Sequence, residues 1–369
     1  MKIKSHVKEY EVIFEEDPMF LERFSPEALE DATGRKNAGS GAFYVIDQKV
    51  FDLYPQAFAK IPEERRFLLK ALESNKTIET ALSICEAMTA IPAKRNATLI
   101  SVGGGITQDI TGFAANILYR GVHWIFVPTT LLAACDSCIG SKTSLNYRSY
   151  KNLLGTFYPP DELHICPPFF ATLSKMDFLS GLGEVVKFNL MAGEVDAIEK
   201  DIETLLARDA GTVRHYVQKS LDFKKPFIEA DEFDTGIRVH LNFAHTFGHA
   251  FEAVTEYAIP HGTAVAMGMI MANAIACKRG SIPGQITERM DSVLAKIIDL
   301  NLLKEENGFK GLDTFSTETF LDKIKKDKKQ VDEKITAVLF TDEKLTLSVV
   351  HDVQPEEIRD AFLHLREVL

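Results

Sequence analysis

The sequence predicts a chain of two domains, a parallel α/β domain followed by a mainly α-helical one. In the first part, the apolar runs ATLISVGGG and GVHWIFVPTT each end in glycine or threonine, as do parallel strands whose loops open helices. From about Phe169 onward, apolar residues recur with the 3.6-residue period of helices. A chain of 369 residues is also longer than one typical core supports. We therefore expect an α/β domain over residues 1–168 and a helical domain over residues 169–369.

The elements of the first domain follow from local patterns along the chain. The opening segment alternates charged and apolar residues, which predicts an edge strand. The segment from Ala42 to Phe51 predicts a strand that ends in a turn at Asp47, and the segment from Arg66 to Leu72 predicts another. The stretch from Lys76 to Ile91 predicts a helix, and the stretch from Asp136 to Gly155 predicts a loop with a helix. Ligands of such sheets bind beyond the carboxyl ends of the strands.

The second domain contains long amphipathic or apolar segments. Residues 210–231, 262–280 and 286–303 each carry the helical period. Residues 335–350 predict a strand pair with its turn at Asp342 and Glu343. The charge run KIKKDKKQVDEK predicts a solvated helix end and loop.

Composition excludes several classes of protein. A hydrophobic content of 46% and a charged content of 26% are those of an ordinary globular protein. A net charge of -11 argues against a nucleic-acid surface, although local Lys and Arg clusters can still bind anions. No long apolar run and no signal peptide are present, so we expect a cytoplasmic protein without a membrane segment.

The cysteine pattern predicts no disulfide framework. The chain has five cysteines, an odd number, spread through apolar segments. Cys135 and Cys138 form a CxxC, which is also the pattern of a redox pair or half a zinc site. No second CxxC exists, and small residues surround this one, so buried thiols are the favoured interpretation.

A glycine run predicts a phosphate-binding loop. Gly103, Gly104 and Gly105 end a strand and precede an apolar helix, where backbone amides can approach a pyrophosphate. The spacing is not GxGxxG, and a simple tight turn explains it equally well. Thr129 and Thr130 end the next strand with hydroxyls that can contact the same ligand.

Two groups of polar residues predict an anion pocket. Asp136, Lys142, Lys151 and Asn152 lie among small residues, which favours a lined pocket over a solvated surface. A second group offers positively charged side chains and one side-chain amide, which can bind a phosphate or a carboxylate. Its members are Arg120, Lys224, Arg238 and Asn242.

Three histidines and one carboxylate predict a metal site. His245 and His249 lie four residues apart and share a helix face, and His261 follows Pro260 where the next helix starts. Glu184 lies with Lys187 in an apolar run, where a carboxylate needs a partner. Imidazoles with one carboxylate suit zinc and keep a position open for substrate. Hydrogen-bonded core histidines are the alternative, and spacing alone does not decide which histidines bind.

The order of motifs resembles the 3-dehydroquinate synthases and, more widely, the sugar phosphate cyclases. The motifs are GGGITQD, YRGVHWIFVPTTLLAACDSCIGSKTSLN, KNLLGTFYPP, SGLGEVVK, GIRVHLNFAHTFGHAFE and HGTAVAMGM, within about Glu73 to Lys329. The resemblance implies a Rossmann-like NAD-binding domain, a helical metal- and substrate-binding domain, and an active site in the cleft between them. It also implies a homodimer.

The resemblance assigns residues to each ligand. Zinc, or another divalent cation such as cobalt, would be held by Glu184, His245 and His261, which leaves His249 for substrate contact or proton transfer. NAD contacts would be Asp47, Glu73, Lys76, Gly104, Gly105, Asp109, Thr129, Thr130, Lys142, Lys151 and Thr172. Substrate or catalytic contacts would be Asp136, Lys142, Asn152, Lys187, Lys224, Arg238 and Asn242, with Arg120 from a neighbouring subunit and Lys328 or Lys329 at the phosphate end.

The implied reaction converts a seven-carbon keto-acid sugar phosphate of aromatic biosynthesis into a carbocycle. Its steps are transient oxidation by NAD, phosphate elimination, re-reduction and intramolecular aldol closure. The chain departs from the family where Gln108, Ser141 and Ala244 replace glycines, and where ALESNK and YRSY replace the usual loops. These departures favour, as an alternative, a sister cyclase such as an aminodehydroquinate, valiolone-type or deoxy-inosose synthase.

Two other classes of function are less well supported. A metal-dependent alcohol or glycerol dehydrogenase shares the broad architecture, but it would release NADH at each turnover. Such enzymes lack the KN and SGLxEVxK runs that this chain carries. A binding protein without catalytic activity is disfavoured because every ionisable group that the reaction needs is retained.

Overall fold

The computed structural model describes residues 1–25, 28, 42–91, 97–148, 150–325 and 335–369. The candidate phosphate contacts Lys328 and Lys329 lie outside these residues. Contacts within the chain divide it into two compact units, Met1–Thr172 and Leu173–Leu369. The assignment of nucleotide binding to the first domain, and of metal and substrate binding to the second, stays a prediction.

The first unit is built on a sheet of mostly parallel strands. Its described residues form nine strands: β1 Lys2–Ile3, β2 Tyr10–Phe14, β3 Ala42–Asp47, β4 Arg66–Leu69, β5 Thr98–Gly103, β6 His123–Pro128, β7 Lys142–Tyr147, β8 Tyr150–Phe157 and β9 Glu162–Ile165. The main sheet has the order β1-β2-β9-β6-β5-β3-β4, in which only the β1 and β2 pair is antiparallel. The central strands β3, β5 and β6 are almost entirely buried, which explains their continuous apolar sequence. The predicted edge strand and the parallel α/β class are both confirmed.

Among the described residues, helices α1 Gln48–Leu53, α2 Ile78–Thr89 and α3 Gly105–Ile117 accompany these strands. Helix α2 starts where the hydroxyl of Thr77 accepts a hydrogen bond from the amide of Thr80. A π-helical turn covers Ala133–Ser137.

The predicted loop and helix between Asp136 and Gly155 is wrong for most of its length. Strands β7 and β8 form an antiparallel hairpin there, with Lys142 opposite Phe157. In β7 the buried residues alternate with more exposed ones, as they do in a half-buried strand. The period-2 pattern of KTSLNY therefore dominates over the small residues that suggested a loop and a helix.

The second unit is mainly α-helical, as predicted. Its helices are α4 Lys175–Met191, α5 Val195–Leu206, α6 Ala210–Ala230, α7 His245–Val254, α8 His261–Lys278, α9 Gly284–Ile297, α10 Leu300–Asn307, α11 Thr317–Lys325 and α12 Pro355–Val368. Strands β10 Ile335–Phe340 and β11 Leu347–Val353 form the predicted antiparallel pair. Helix α8 is apolar around its whole circumference and is buried along nearly its full length.

Helices α4 and α8 cross with their backbones in contact. A Cβ atom built on Gly183 would lie 2.0 Å from the carbonyl oxygen of Gly262. A Cβ atom on Gly262 would lie 1.7 Å from the carbonyl oxygen of Ser180, so neither position has room for a side chain. The two glycines thus allow the two helices to approach closely.

Two further expectations concern the whole chain. Among the described residues, no helix combines the length and the apolar character that crossing a bilayer requires. Cys135 and Cys138 are buried, as predicted.

Candidate functional site

The carboxyl ends of three neighbouring strands bring the predicted nucleotide residues together. Strand β5 pairs with β3 on one side and with β6 on the other, so Asp47, Gly103 and Thr129 follow adjacent strand ends. The amide of Thr129 donates to the carbonyl oxygen of Gly103 over 2.9 Å. A Cβ atom on Gly104 would lie 2.9 Å from Cγ2 of Thr130, which favours glycine there. Gly104 is the N-cap of α3 without a side-chain bond, so the first turn of α3 presents backbone amides at this edge.

Asp47 and Thr172, two other predicted nucleotide contacts, have local structural roles. The carboxylate of Asp47 accepts a hydrogen bond from the amide of Lys49 over 3.0 Å and so caps α1. The hydroxyl of Thr172 lies 2.9 Å from that of Tyr54. Both side chains belong to the first unit.

Glu73, Lys76, Asp109 and Asn152 lie in one polar network. The ammonium of Lys76 lies 2.5 Å from Oδ2 of Asp109 and donates to Oδ1 of Asn152 over 2.6 Å. The side-chain amide of Asn146 donates to the carboxylate of Glu73 over 2.8 Å. The network ties hairpin β7–β8 to helix α3 and to the loop before α2.

Gln108, an expected departure from the family pattern, joins the start of α3 to the π-helical turn. Its side-chain amide donates to the carbonyl oxygen of Ser137 over 2.7 Å, and the hydroxyl of Ser137 donates to Oε1 of Gln108 over 2.7 Å. Gln108 is only 4% exposed, so it points into the protein. The larger side chain therefore links the start of α3 to the segment that contains Asp136.

The structure places the remaining substrate candidates of the first unit at different positions. Asp136 lies in the π-helical turn, and Lys142 and Lys151 are exposed at the starts of β7 and β8. Arg120 is exposed in the turn after α3, near the amino ends of β5 and β6. Arg120 is therefore separated by the length of α3 from the glycine loop of its own chain.

Glu184, His245 and His261 converge in the second unit. Oε1 of Glu184 lies 3.6 Å from Nε2 of His245 and 3.5 Å from Nε2 of His261. One ligand atom from each of the three residues lies within 4.8 Å of the others. A tetrahedral ion bound at about 2.0 to 2.1 Å separates its ligand atoms by about 3.4 Å, so these spacings suit a zinc-like cation.

The environment of Glu184 also fits a cation. This carboxylate is fully buried, and neither of its oxygens accepts a hydrogen bond of good geometry from the described residues. Lys187 supplies one positive charge, with its ammonium 2.5 Å from Oε2. Nδ1 of His245 lies 3.0 Å from the carbonyl oxygen of Phe243, which leaves Nε2 facing Glu184.

Electrostatics keeps Glu184 ionised and His245 neutral. Burial raises the pKa of Glu184, but Lys187 and His261 outweigh it and lower the pKa to about 2. Burial, together with the charge of Lys187, holds the pKa of His245 well below its usual value. Burial lowers the pKa of His261, but Glu184 and Glu252 outweigh this effect and raise it to about 10. A carboxylate and a neutral imidazole are the protonation states that a metal ligand needs, so Glu184 and His245 are in the required state, whereas His261 loses a proton when a cation binds.

The other candidate substrate contacts of the second unit lie on its helices and on one 3-10 segment, and their role stays a prediction. Lys224 and Arg238 are both buried, and Nη1 of Arg238 donates to the carbonyl oxygen of Glu232 over 2.7 Å. Lys187 donates to the carbonyl oxygen of Leu241 over 3.1 Å, next to Asn242 at the end of a 3-10 segment. The ring centroid of His249 lies 5.4 Å from that of His245 and 6.1 Å from that of His261.

Glu252 is a further acidic residue at this site, and the motif spacing does not assign it. Its Oε2 lies 3.4 Å from Nδ1 of His261, and it forms a second possible ligand group with His249 and His261. The signal in the sequence is its distance from His245, because seven residues make two turns of a helix. Glu252 therefore belongs to the same face of α7 as both histidines.

Ser141 and Ala244, two further expected departures from the family pattern, adopt left-handed backbone conformations. Ser141 has φ 65° and Ala244 has φ 66°. Ala244 is the N-cap of α7 and comes directly before His245. These replacements therefore keep the backbone turn at some cost in strain.

Comparison with solved structures defines the class of protein. The 2-epi-5-epi-valiolone synthase of Streptomyces hygroscopicus subsp. jinggangensis, solved with NAD+ and Zn2+, matches with a TM-score of 0.78 and 26% identity over 99% of each chain. A 2-deoxy-scyllo-inosose synthase complexed with carbaglucose-6-phosphate, NAD+ and Co2+ matches with a TM-score of 0.76, at 22% identity, over 100% of this chain and 99% of that one. The fold is thus that of the sugar phosphate cyclases.

Sequence comparison gives the family. Residues 66–180 match the 3-dehydroquinate synthase N-terminal model, and residues 181–330 match the 3-dehydroquinate synthase C-terminal model. The 3-dehydroquinate synthase of Dictyoglomus turgidum is 34% identical over 322 residues, which cover 86% of this chain and 87% of that protein. The chain belongs to the 3-dehydroquinate synthase family, which confirms the resemblance.

Proposed function

We propose that this protein is a 3-dehydroquinate synthase-like cyclase, a carbon–oxygen lyase. Its substrate would be a seven-carbon keto-acid sugar phosphate, which it converts into a carbocycle with loss of phosphate. The cluster of Glu184, His245 and His261 carries this proposal, because it offers a buried carboxylate and two imidazoles to one divalent cation. Family membership supports the same reaction.

The residues fit two bound groups. Gly104 and Gly105 at the start of α3 suit the pyrophosphate of NAD, and the Glu184 cluster suits zinc or another divalent cation such as cobalt. The valiolone synthase, whose structure holds NAD+ and Zn2+, supports both assignments. When bound, these groups supply hydride transfer and polarisation of a substrate oxygen.

The side chains of the second unit bind and orient the substrate in this proposal. Lys187, Lys224 and Arg238 are buried cations, which interact more strongly with an anion than solvated ones do. Arg238 presents a planar fork that matches a carboxylate, and Asn242 adds an amide. His249 holds or moves a proton beside His245 and His261.

A sister cyclase is the second candidate. Gln108 binds Ser137 directly beside Asp136, one of the proposed substrate contacts, and this link is absent where the family has glycine. If this bond changes the position of Asp136, the site would suit a different substrate. Arg238 favours a carboxylated substrate, because a carboxylate-free sugar phosphate gives this buried guanidinium less to bind.

Assembly and location complete the proposal. A homodimer would let the exposed Arg120 serve the neighbouring copy, since this residue lies at the far end of α3 from the glycine loop of its own chain. A cytoplasmic location stays a prediction.

The decisive experiment supplies NAD, zinc and one of two substrates. The first is a seven-carbon 2-keto-acid sugar phosphate, and the second is a seven-carbon ketose phosphate without the carboxylate. We expect equal amounts of phosphate and carbocycle from the first substrate, with no accumulation of NADH. Turnover of the second alone identifies a sister cyclase, and one NADH per turnover identifies a dehydrogenase.

Two variants separate the roles of the site. Arg238→Ala should raise KM most for the carboxylated substrate, by about 10-fold to 100-fold for a lost charged hydrogen bond. Glu184→Gln keeps the side-chain shape and should abolish zinc retention and turnover while circular dichroism stays native. Normal activity of a metal-stripped Glu184→Gln protein would refute the metal assignment.

A further inference from the structure

The imidazole of His261 lies between two carboxylates. Its Nε2 lies 3.5 Å from Oε1 of Glu184, and its Nδ1 lies 3.4 Å from Oε2 of Glu252. Glu184 is completely buried, whereas the side chain of Glu252 is 17% exposed. The two carboxylates therefore occupy different environments on opposite sides of one ring.

This arrangement matches the way proteins orient metal-binding histidines. A histidine that ligates through one ring nitrogen usually donates its other N–H to a carboxylate or carbonyl, which fixes the tautomer and the ring direction. His245 has such an acceptor in the carbonyl oxygen of Phe243, 3.0 Å from its Nδ1. Glu252 stands in the corresponding position for His261.

We propose that Glu252 is a positioning residue for the divalent cation. Its carboxylate accepts a hydrogen bond from the Nδ1–H group of His261, so that the Nε2 lone pair of that ring faces the cation position beside Glu184. This inference rests on the proposed function, because it presumes a cation bound by Glu184, His245 and His261. Glu252 acts through His261 and not on the substrate.

The alternative role of Glu252 is direct ligation. His249, Glu252 and His261 also bring one ligand atom each within 4.8 Å. That group would use Nδ1 of His261 and would leave the buried Glu184 without a divalent cation. The desolvated carboxylate of Glu184 gains more from a cation than the partly solvated Glu252 does. The structure therefore favours Glu252 as a partner of His261 and not as a ligand of the cation.

Zinc binding to the metal-free full chain tests this proposal. A competing chelator gives the zinc dissociation constant of the wild type, Glu252→Ala, Glu252→Gln and the control Glu305→Ala. Glu305 is an exposed carboxylate on helix α10. We expect Glu252→Ala to weaken zinc binding by about 10-fold to 100-fold, which is the usual effect of removing such a partner.

The other variants supply the contrast. Glu252→Gln retains an amide oxygen as acceptor and should lose less affinity than Glu252→Ala, while Glu305→Ala should match the wild type. The metal-free forms should unfold at similar temperatures, because a merely structural role would lower that temperature without a selective loss of zinc. If Glu252→Ala does not fold, the dissociation constant of Glu252→Gln alone tests the proposal. Zinc binding weaker than that of the wild type supports it, and an unchanged constant contradicts it.

Three outcomes would overturn the inference. The first is wild-type zinc affinity in both Glu252 variants. The second is that neither variant binds zinc at all, as expected if Glu252 is itself a ligand. The third is that the wild type binds two zinc ions per chain and both variants bind only one. Failure of the wild type to bind zinc would refute the metal assignment itself. A wild type that binds zinc but forms no carbocycle would refute only the proposed reaction.

Discussion

The ammonium of Lys187 lies 2.5 Å from Oε2 of Glu184, almost one turn along the same helix. Both side chains are almost completely shielded from solvent, so each charge is compensated by the other and not by water. Oε1 of Glu184 meanwhile faces His245 and His261. One oxygen of the carboxylate thus pairs with the Lys187 ammonium, and the other oxygen faces the two imidazoles.

Replacement of Lys187 by methionine should destabilise the metal-free protein. The change leaves Glu184 as a buried carboxylate without its lysine, a loss that costs about 3 to 5 kcal/mol when a buried pair is broken. Zinc should restore part of this stability, because a divalent cation then compensates the same carboxylate. Urea unfolding with and without zinc measures both effects. An equal loss in the two conditions would show that Lys187 and the metal do not share Glu184.

Substitution of Gly262 by alanine should separate helices α4 and α8. The new Cβ would lie 1.7 Å from the carbonyl oxygen of Ser180, so the backbones must move apart at a cost of about 3 kcal/mol or more. Zinc affinity should fall as well, since the two helices carry Glu184 and His261. Gly284→Ala is the matched control, because nothing lies within 4 Å of its Cβ. Similar unfolding temperatures of the two variants would contradict the prediction.

Gln108 and Ser137 should be energetically coupled. Gln108→Ala removes both 2.7 Å hydrogen bonds, whereas Ser137→Ala removes only the one that its hydroxyl donates, so Ser137→Ala should cost little once residue 108 is alanine. A double-mutant cycle on unfolding free energy should give a coupling of about 0.5 to 3 kcal/mol. Additive single effects would mean that the link does not hold the π-helical turn to α3.

Ala244→Gly should stabilise the protein. Ala244 has φ 66°, a conformation that costs a residue with a Cβ atom about 1 to 2 kcal/mol. Glycine removes this strain but loses more entropy on folding, so we expect a net gain of about 0.5 to 1 kcal/mol. Thermal unfolding measures the change. A lower unfolding temperature would show that the methyl group contributes packing that outweighs the strain.

Asp231 should make stability depend on pH. The amide of Thr235 and then those of Arg238 and Gly236 donate to its carboxylate and lower its pKa from 3.8 to about 2. A carboxyl group with a lowered pKa contributes stability above its unfolded pKa, and this contribution disappears as pH falls through the folded value. The stability difference between wild type and Asp231→Asn should therefore be constant above about pH 5 and shrink below about pH 4. Urea unfolding at several pH values tests this, and an unchanged difference would exclude the carboxylate charge as its cause.

Local sequence patterns predict those parts of the fold that depend on neighbouring residues. The strands that end at Gly103 and Pro128 are apolar and short, and the helix that carries His245 and His249 has helical spacing. The hairpin of β7 and β8 is the exception, because its polar residues resemble a loop although Thr143 and Leu145 of β7 are buried.

The rest of the site depends on contacts between distant segments. Glu184 meets His245 and His261 only because α4, α7 and α8 pack together, and local spacing cannot report such packing. The family resemblance supplies that grouping, but it does not supply the bond between Gln108 and Ser137, residues that are separated by 29 positions. It likewise does not indicate that Glu252 faces the second nitrogen of His261.

The crossing at Gly183 and Gly262 has a consequence for how this chain can diverge. Main chain rests directly on main chain there, so the spacing between the backbones of the two helices that carry Glu184 and His261 has little freedom to change. Substitutions in the first unit, at positions such as Gln108, can change its loops while the spacing of these two helices stays constant. New substrate specificities can therefore arise through changes in the first unit alone.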